Sequence, residues 1–305
     1  MKHIFIINPK AGKIDRVKEF EEKLKEFDGQ IDYEIYATKA RGDARNFVNE
    51  YLNSHEPNET YRFYAIGGDG TLHDVANGAY SHENAEVACF ASGSGNDFVK
   101  YFGDGPEFRD LKSLINGKPK EIDLIKVNDK VCINIISLGF DGEVTFAMHR
   151  FKRWPLVTGK MAYNLAAVNC LLFKMNTYFK VVADGDTMID GKGLLIAMGN
   201  GHTYGGGFHC CPEAVVDDGL IDVCLTRKIS RLRDSSVMNV YKRGEHIHNE
   251  KVKDIIDYRK CKELVLDAPK DVAYQIDGET FRTKHLEVKI LPHSLKFVIP
   301  AKMEN

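Results

Sequence analysis

The most unusual stretch of the sequence runs from Tyr61 to Ala79, where a short apolar segment leads directly into Gly67-Gly68-Asp69-Gly70-Thr71. Glycines after a buried strand leave backbone N–H groups uncovered, and the start of a helix adds partial positive charge, so the pattern is typical of a phosphate-binding loop. Asp69 would repel a bare phosphate. Asp69 is explained if the loop binds a nucleotide together with Mg²⁺, or if its carboxylate accepts hydrogen bonds from a hydroxyl or from neighbouring backbone.

Two more loops of this kind follow apolar runs. The segment SGSGND covers Ser92 to Asp97, and NPKAGK covers Asn8 to Lys13. Because ligands bind beyond the carboxyl ends of strands in a parallel sheet, the three loops are expected to converge on one site. For any single loop, a tight strand-to-helix turn whose glycines serve only the backbone geometry remains the alternative.

A further carboxylate, Glu279, lies in the segment QIDGET between two β-like runs. At a phosphate site such a group could act as a general base. Asp-Gly between two β-like runs is also a strong hairpin signal, in which case Glu279 would be a solvated turn residue. The residues alone favour the hairpin.

The elements that must position these groups alternate in the first third of the chain. Apolar β-like runs are separated by stretches with helical spacing, such as Val17 to Phe27. This alternation predicts an α/β nucleotide-binding domain with a parallel sheet over residues 1–122.

From about Ile122 the pattern changes to short β-like runs punctuated by glycine, which predicts a β-rich second domain over residues 123–292. One helix candidate interrupts it, with a single apolar stripe formed by Met161, Leu165, Val168, Leu172 and Met175. We expect this stripe to belong to the core rather than to a lipid groove.

Length and composition describe a soluble globular chain of 305 residues that is large enough for two domains. A net charge of -2 gives no general attraction for nucleic acid. The seven cysteines lack the paired spacing of a disulfide framework, which fits a reduced cytoplasm. The apolar run Ile4 to Ile7 is too short for a signal peptide or a membrane span, so a cytoplasmic protein is expected.

Two weaker patterns allow more than one interpretation. Histidines 246 and 248, or His209 beside Cys210-Cys211, suggest metal binding, but adjacent cysteines do not readily close a tetrahedral site, so packing or surface roles are favoured. The segment HRFKRWP, residues 149–155, mixes cations with an aromatic ring as membrane-surface segments do, although a solvated charged face is the alternative.

The sequence resembles the diacylglycerol kinase catalytic-domain family, especially the bacterial soluble lipid kinases, with sphingosine and ceramide kinases as more distant relatives. The resemblance runs nearly end to end. It is carried by NPKAG (8–12), GGDGT (67–71), GSGND (93–97), SLGFDGEV (137–144), GNGHTYGGGFHCCPEAVVDDGLIDV (199–223) and DGE (277–279). GGDGT alone also occurs in NAD kinases and, in a related form, in phosphofructokinases, so the long glycine-rich segment and DGE make the assignment specific.

This resemblance implies a two-domain fold like that of NAD and diacylglycerol kinases. An N-terminal α/β nucleotide-binding domain with a parallel sheet would be completed by a C-terminal strand at 293–305, and the second domain would be a β-rich, sandwich-like lipid domain. ATP would be contacted by Asn8, Thr38, Gly67, Gly68, Asp69, Gly70, Thr71, Leu72, His73 and Ser94.

The same resemblance implies a division of chemical roles. Asp69 would lie near the Mg²⁺-bound phosphates, Glu279 would be the general base for the lipid hydroxyl, and Asp97 would bind substrate. A structural Mg²⁺, as in bacterial members, would be bound by the Asp218 carboxylate and the backbone carbonyls of Val215 and Leu220.

This chain departs from the family pattern at two places. His73-Asp74 stand where the family usually has Asn-Glu, and Cys210-Cys211 stand where aliphatic or small residues are usual.

Three functions are therefore considered. The first is ATP-dependent phosphorylation of a lipid hydroxyl, on diacylglycerol or a related lipid, at the inner membrane surface in phospholipid biosynthesis. The second is a kinase for a soluble substrate such as NAD, and the third is a catalytically silent nucleotide- or lipid-binding regulator. Lipid phosphorylation is the leading expectation. Intact Asp69 and Glu279 argue against the silent regulator, and a requirement for lipid or detergent would separate the first function from the second. The expected partners are the lipid substrate, through peripheral membrane contact, and a second copy in a homodimer.

Overall fold

The computed structural model describes residues 1–9, 15–103, 105–151, 154, 157, 159–173 and 175–303. The chain divides into two compact units, Met1–Leu124 with Pro292–Asn305, and Ile125–Leu291. Residues 10–13 of the predicted first loop, and residues 152, 153 and 155 of the segment HRFKRWP, lie outside the described residues.

The first unit alternates strands with helices. Its strands are β1 (Lys2–Ile7), β2 (Asp32–Ala37), β3 (Tyr61–Gly67) and β4 (Ala85–Ala91), and its helices are α1 (Arg16–Leu24), α2 (Asp43–Ser54), α3 (Asp69–Ala79) and α4 (Leu111–Ile115). Short 3-10 turns occur at Lys25–Phe27, Val99–Phe102, Pro106–Arg109 and Ala301–Met303.

The remaining elements belong mainly to the second unit. They are the strands β5 (Lys118–Val127), β6 (Lys130–Cys132), β7 (Ile135–Gly139), β8 (Thr177–Ala183), β9 (Asp186–Gly199), β10 (Thr203–Tyr204), β11 (Phe208–His209), β12 (Ile221–Arg227), β13 (Ile256–Cys261), β14 (Glu263–Ile276) and β15 (Glu279–Ile299), with helices α5 (Phe140–Phe151), α6 (Gly159–Phe173) and α7 (Arg231–Lys242). The sequence predicted only the helix that includes α6, so α5 and α7 are additions to the expected β-rich unit.

The sheet of the first unit has the order β15, β4, β3, β1, β2, and each of these pairings is parallel. The last strand contributes through the run LKFVIP, in which Lys296 pairs with Glu86 and Phe297 with Val87. Every residue of β3 and of β4 is buried, as continuous apolar runs in a parallel sheet should be. The carboxyl ends of these strands therefore meet at one edge, where the glycine-rich loops begin.

The second unit is built from antiparallel strands. Strands β9 and β14 each pair with β7 along one part and with β8 along another. Strands that switch partners in this way form the corners of a sandwich-like domain. The enclosed core includes fully buried Phe179, Ile196 and Leu266.

The core assignment of the apolar stripe on α6 is wrong for three of its residues. Met161, Leu165 and Val168 are 49%, 42% and 56% exposed, whereas Met175 is buried. The helix buries its small side chains instead, at Ala162, Ala166 and Cys170, of which the last two pack with Val144 of α5. Small residues let two helices approach closely, so the bulky stripe faces outward. The side chain of Leu172 lies outside the described part.

Candidate active site

The loops after the first strands are linked by backbone hydrogen bonds. The Asn8 N–H donates to the carbonyl of Ile66 over 3.2 Å, and the Thr38 N–H donates to the carbonyl of Ile7 over 2.8 Å. Both residues follow the carboxyl end of a strand. Asn8 and Thr38, which the sequence predicted as ATP contacts, are thus brought to the edge where β3 ends.

The loop of β4 meets the loop of β3 by direct backbone contact. The N–H groups of Ser92 and Gly93 donate to the carbonyl of Gly67 over 3.0 and 2.9 Å. A Cβ atom placed on Gly93 would lie 2.3 Å from the Cα of Gly68. The two glycine-rich segments can approach this closely only without side chains, so part of the glycine requirement comes from loop packing.

Asp69 holds these two loops together. Its carboxylate accepts the N–H of Asn96 over 2.8 Å and the N–H of Asp97 over 2.6 Å. Burial and the neighbouring Asp97 charge raise the pKa of the Asp69 carboxyl. Of the two explanations for a carboxylate in this loop, the structure shows hydrogen bonds from neighbouring backbone.

The helix that follows begins with open space at Gly70. A Cβ atom added there would meet no described atom within 4 Å, whereas one at Gly67 would lie 2.2 Å from the Oγ1 of Thr71. The side chains of Thr71, Leu72 and His73 are buried. Their predicted contact with a nucleotide would therefore have to involve backbone atoms, and Gly70 is the position where the backbone is most accessible.

Asn96 is an organising residue that the sequence interpretation missed. Its backbone has a φ of +50°, its side-chain amide donates to the Gly93 carbonyl over 2.8 Å, and its side-chain oxygen accepts the Gly93 N–H over 3.1 Å. Asn tolerates a left-handed backbone conformation, and its side chain often hydrogen-bonds to nearby backbone in turns. An Asn in a glycine-rich loop is the sequence signal that could have indicated this role. The loop leaves Ser94 exposed, and Lys100 donates to the Asp97 carboxylate over 2.6 Å.

The unusual pair His73-Asp74 has a structural role in α3. The Asp74 carboxylate accepts the N–H of Gly42 over 3.0 Å, and Gly42 precedes α2 with a φ of +77°. His73 is buried beside Asn77, whose amide donates to the His73 carbonyl over 2.9 Å. This departure from the family pattern therefore joins α3 to the start of α2.

In the second unit, Glu279 is the first residue of β15 after a tight turn. Asp277 and Gly278 both have positive φ, of +48° and +87°, and Glu279 pairs with Ile276 across the hairpin. The predicted hairpin is confirmed. The Glu279 side chain is half-buried, so a turn position and a chemical role are compatible.

Asp277 fixes this turn to the segment between β6 and β7. Its carboxylate accepts the N–H groups of Ile133 and Asn134, each over 3.0 Å, and the N–H of Ile135 over 3.2 Å. The Cys132 thiol donates to the same carboxylate over 3.0 Å, and burial together with Asp277 raises the pKa of that thiol. In the sequence, Asp277-Gly278 served only as a hairpin signal, and binding of a distant segment by the Asp277 carboxylate was not predicted.

The same segment gathers another glycine-rich motif. The Asn134 side-chain amide donates to the Thr203 carbonyl over 2.9 Å, and the Asn200 side-chain amide donates to the Ile133 carbonyl over 3.1 Å. Asn200 and Thr203 lie in the segment GNGHTYGGGF. The structure therefore brings this motif and DGE to one place in the second unit.

The other unusual pair, Cys210-Cys211, belongs to the core. Both side chains are fully buried, and burial raises the pKa of each thiol. His246 is also buried and donates to the Cys210 carbonyl over 3.2 Å, while His248 lies at the surface beside Glu213. These placements agree with the favoured packing and surface roles.

The predicted structural Mg²⁺ loop carries a counter-charge from within the chain. One Asp218 oxygen accepts the Leu220 N–H over 3.0 Å, and the other lies 2.8 Å from the Lys260 ammonium. Val215 is exposed beside this turn. Among the described residues no cluster of three or more His, Cys, Asp or Glu side chains could hold a metal. The predicted oxygen donors suit Mg²⁺, and the Lys260 ammonium would compete with the ion for the Asp218 carboxylate.

Magnesium binding at this loop can be tested by thermal unfolding. An ion that binds only the folded state stabilises it, so the melting temperature should rise with Mg²⁺. At a Mg²⁺ concentration a hundredfold above Kd, the free energy of unfolding should increase by about 2.7 kcal/mol. The rise should be larger for Lys260→Met, which removes the competing ammonium, and absent for Asp218→Ala. A melting temperature that stays constant with Mg²⁺ in the wild type and in Lys260→Met would exclude the structural ion.

Comparison with known proteins assigns both units. A model described as the diacylglycerol kinase catalytic domain matches residues 2–127. A model described as the YegS C-terminal NAD kinase beta sandwich-like domain matches residues 134–299, which is more than half of the chain.

The relatives agree with these matches. The "Probable lipid kinase YegS-like" of Pectobacterium atrosepticum is 28% identical over 305 residues, covering 97% of this chain and 95% of that protein. The protein with the same name in Alcanivorax borkumensis is 26% identical over 270 residues, covering 87% of this chain and 86% of that protein.

Solved structures show the same fold. A diacylglycerol kinase from Bacillus anthracis is 19% identical with a TM-score of 0.72, covering 99% of this chain and 98% of that chain. An NAD kinase from Archaeoglobus fulgidus in complex with ATP is 12% identical with a TM-score of 0.51, covering 99% and 95%. The predicted two-domain fold, shared by diacylglycerol kinases and NAD kinases, is confirmed. The chain therefore belongs to the diacylglycerol kinase catalytic-domain family, among its YegS-like lipid kinases.

Proposed function

We propose that this kinase transfers the γ-phosphoryl group of ATP to the hydroxyl of diacylglycerol or a related lipid, with Glu279 as the general base. The observation that carries the proposal is the position of Glu279, half-buried directly after a turn that the Asp277 carboxylate fixes through three backbone N–H groups. A carboxylate on so constrained a hairpin is suited to take a proton at a defined point.

The reaction balances without a covalent enzyme intermediate. Glu279 accepts the proton of the lipid hydroxyl while the hydroxyl oxygen forms a bond to the γ-phosphorus. The bond from that phosphorus to the bridging oxygen breaks, and ADP is released. The proton then passes from Glu279 to solvent. Most of the catalysis in such a transfer comes from positioning and from neutralising the phosphate oxygens.

The nucleotide would be held by the converging loops of the first unit. In the proposal, backbone around Gly68 and Gly70 faces the phosphates, and Asn8, Thr38 and Ser94 line the rest of the site. Mg²⁺ that arrives with the nucleotide would neutralise the phosphate oxygens. Asp69 would keep the two glycine-rich loops in register beside those phosphates, because its carboxylate already binds the backbone of the second loop.

Asp97 is proposed to act on the substrate side of the same loop. It is buried, its N–H is held by Asp69, and its carboxylate is neutralised by Lys100. Such a carboxylate is fixed in orientation. Asp97 is therefore also the next candidate for the general base.

Phosphate transfer from labelled ATP tests the proposal directly. Purified protein should label diacylglycerol presented in detergent micelles, and should label NAD no faster than a reaction without protein. Mass spectrometry of lipid that copurifies with the protein would identify the natural acceptor. Labelling of NAD without labelling of any lipid would favour the soluble-substrate kinase, and ATP binding without transfer to either would favour a silent regulator.

Replacing Asp277 tests whether this carboxylate positions Glu279. Asp277→Ala removes the acceptor of three backbone N–H groups, and since a hydrogen bond to a charged group contributes about 1.5 to 3 kcal/mol, stability should fall by roughly 3 kcal/mol or more. Turnover should fall as well, with ATP affinity close to wild type. Asp277→Asn should recover part of both losses, and exposed Asp186→Ala serves as the control.

A double variant separates positioning from mere stability. If Asp277 acts through Glu279, adding Asp277→Ala to Glu279→Gln should slow turnover no further, because the base is already absent. Turnover would be measured at a temperature where every variant is folded. Additive losses in the double variant would contradict the positioning role.

The proposal also places the enzyme at the inner membrane surface, in peripheral contact with lipid. Among the described residues, the helices are too short or too polar to span a bilayer. Access to a diacylglycerol hydroxyl would then require a docking surface.

A further inference from the structure

Exposed apolar side chains are concentrated on the helical pair α5 and α6 of the second unit and at Trp154, which lies between them in sequence. Of the ten large hydrophobic side chains that are exposed in the described part of the chain, six lie between residues 146 and 168. They are Phe146, Trp154, Met161, Tyr163, Leu165 and Val168. A concentration of this kind, outside a binding function, is unfavourable in water, so the region is a candidate interaction surface.

The exposed residues of α6 form a coherent stripe. Met161, Leu165 and Val168 follow one another at intervals of four and three, so they project from the same side of the helix. The small residues Ala166 and Cys170 pack against α5 on another side. We call Met161, Leu165 and Val168 the outer stripe.

The charge of the same region identifies the partner. Although the chain contains 44 acidic residues and has a net charge of -2, the sequence from Val144 to Ala183 contains no Asp or Glu. Its basic residues are Arg150, Lys152, Arg153, Lys160, Lys174 and Lys180. Of these, Arg150 and Lys180 have described side chains, and both are exposed. An apolar stripe within a basic segment that lacks acidic residues is complementary to an anionic phospholipid surface.

We infer that the outer stripe is the surface by which this protein docks peripherally on an anionic phospholipid bilayer. The apolar side chains would enter the boundary between headgroups and acyl chains, while the basic residues of the region bind the headgroups. Exposed Trp154 suits the same boundary, because its ring has an apolar body and a polar N–H. The inference deepens the proposed lipid kinase function and rests on it only for the biological purpose of docking.

A second copy of the chain is the competing occupant. Dimer interfaces are enriched in apolar side chains but depleted of lysine, so the run of basic residues favours the bilayer. The two occupants also differ in their response to salt and concentration. Docking on an anionic bilayer weakens as salt rises, whereas a dimer formed by an apolar stripe would depend mainly on protein concentration.

Vesicle cosedimentation tests the docking surface. The full chain is mixed with vesicles of phosphatidylglycerol and phosphatidylcholine in equal parts, and with vesicles of phosphatidylcholine alone. We expect preferential binding to the anionic vesicles, weakened by salt. The double variant Leu165→Asp with Val168→Asp should bind them at least about tenfold more weakly, because each change places a carboxylate in the interface.

The matched control is Val265→Asp, which introduces the same carboxylate at an exposed valine of β14, outside the helical pair. It should bind the anionic vesicles like the wild type. Circular dichroism and melting temperature confirm that each variant is folded. Wild-type vesicle binding by the folded double variant would overturn the inference. A wild-type dimer that the double variant dissociates, with vesicle binding unchanged, would assign the stripe to a second copy and overturn it too.

A soluble substrate separates this inference from the proposed function. With a short-chain diacylglycerol below its micelle concentration, the double variant should retain wild-type turnover, because docking is not needed. If neither the wild type nor the double variant phosphorylates that lipid, but the wild type and Val265→Asp bind anionic vesicles and the double variant does not, the docking surface stands and the lipid kinase proposal fails. If the wild type and the double variant bind anionic vesicles equally and both phosphorylate the short-chain lipid, the docking surface fails and the lipid kinase proposal stands.

Discussion

The Glu279→Gln variant is expected to lose nearly all turnover on lipid while it still folds and binds ATP. A general base contributes about 10² to 10⁴ in rate, equivalent to roughly 3 to 5 kcal/mol of barrier. Gln keeps the size of the side chain but cannot take the hydroxyl proton. Since the Asp277 anchor and the pairing of residue 279 with Ile276 do not use the carboxylate charge, the hairpin should be unchanged.

The measurement is steady-state turnover on detergent-dispersed diacylglycerol, with calorimetry for ATP and a thermal melt for stability. Glu287→Gln is a matched control, because Glu287 lies on the same strand and is exposed. It should be within a few-fold of wild type in every assay. Near-normal turnover in Glu279→Gln would show that DGE is only a turn, and Asp97→Asn would then be the variant to examine.

The fold of the first unit could be predicted because each of its elements carries a local signal. Strands inside a parallel sheet, such as β3 and β4, appear as short continuous apolar runs, and the stretches between them have helical spacing. The second unit was harder. Helix α5 begins at Phe140, directly after strand β7 and inside the glycine-containing run SLGFDGEV, so the local pattern did not indicate a helix there.

The orientation of α6 shows a different limit of sequence reasoning. The helix has a stripe of large apolar residues, which hydrophobic periodicity identified, and a stripe of small ones, which the sequence analysis did not single out. Which stripe faces the core depends on how closely the neighbouring helix approaches. Here α5 packs on Ala166 and Cys170, which leaves Leu165 outside.

The candidate site was predicted as a set of residues but not as a set of contacts. Glycine-rich loops at strand ends indicated that three loops converge, and the hydrogen bonds of Gly67 show this for the loops after β3 and β4. The partners of Asp69 could not be deduced, because the N–H groups of Asn96 and Asp97 lie 27 and 28 residues away in sequence. The role of Asp277 depends on a separation of more than 140 residues, to Asn134. Long-range contacts of this kind leave no local pattern.

The cradle itself is best tested at Gly70 rather than at Gly68. A Cβ atom on Gly68 would lie 3.2 Å from the Cα of Gly93, so Gly68→Val would disturb the loop contact as well as any ligand. At Gly70 a Cβ atom meets no described atom within 4 Å. Because Gly70 lies in the first turn of α3 and Ala favours helix more than Gly, Gly70→Ala should leave the melting temperature unchanged or slightly higher.

If phosphate lies against this backbone, a side chain at position 70 must weaken ATP binding without unfolding the protein. Losing one hydrogen bond to a charged group costs about 1.5 to 3 kcal/mol, which corresponds to roughly a tenfold to hundredfold loss of affinity. Gly70→Val, which has a larger and branched side chain, should show a loss of ATP affinity near the upper end of this range. Gly191→Ala is the matched control, because a Cβ atom there also meets open space, on β9 of the second unit. Calorimetry that finds wild-type ATP affinity in a folded Gly70→Val protein would show that the glycines serve only the packing of the two loops, and that the nucleotide phosphates bind elsewhere.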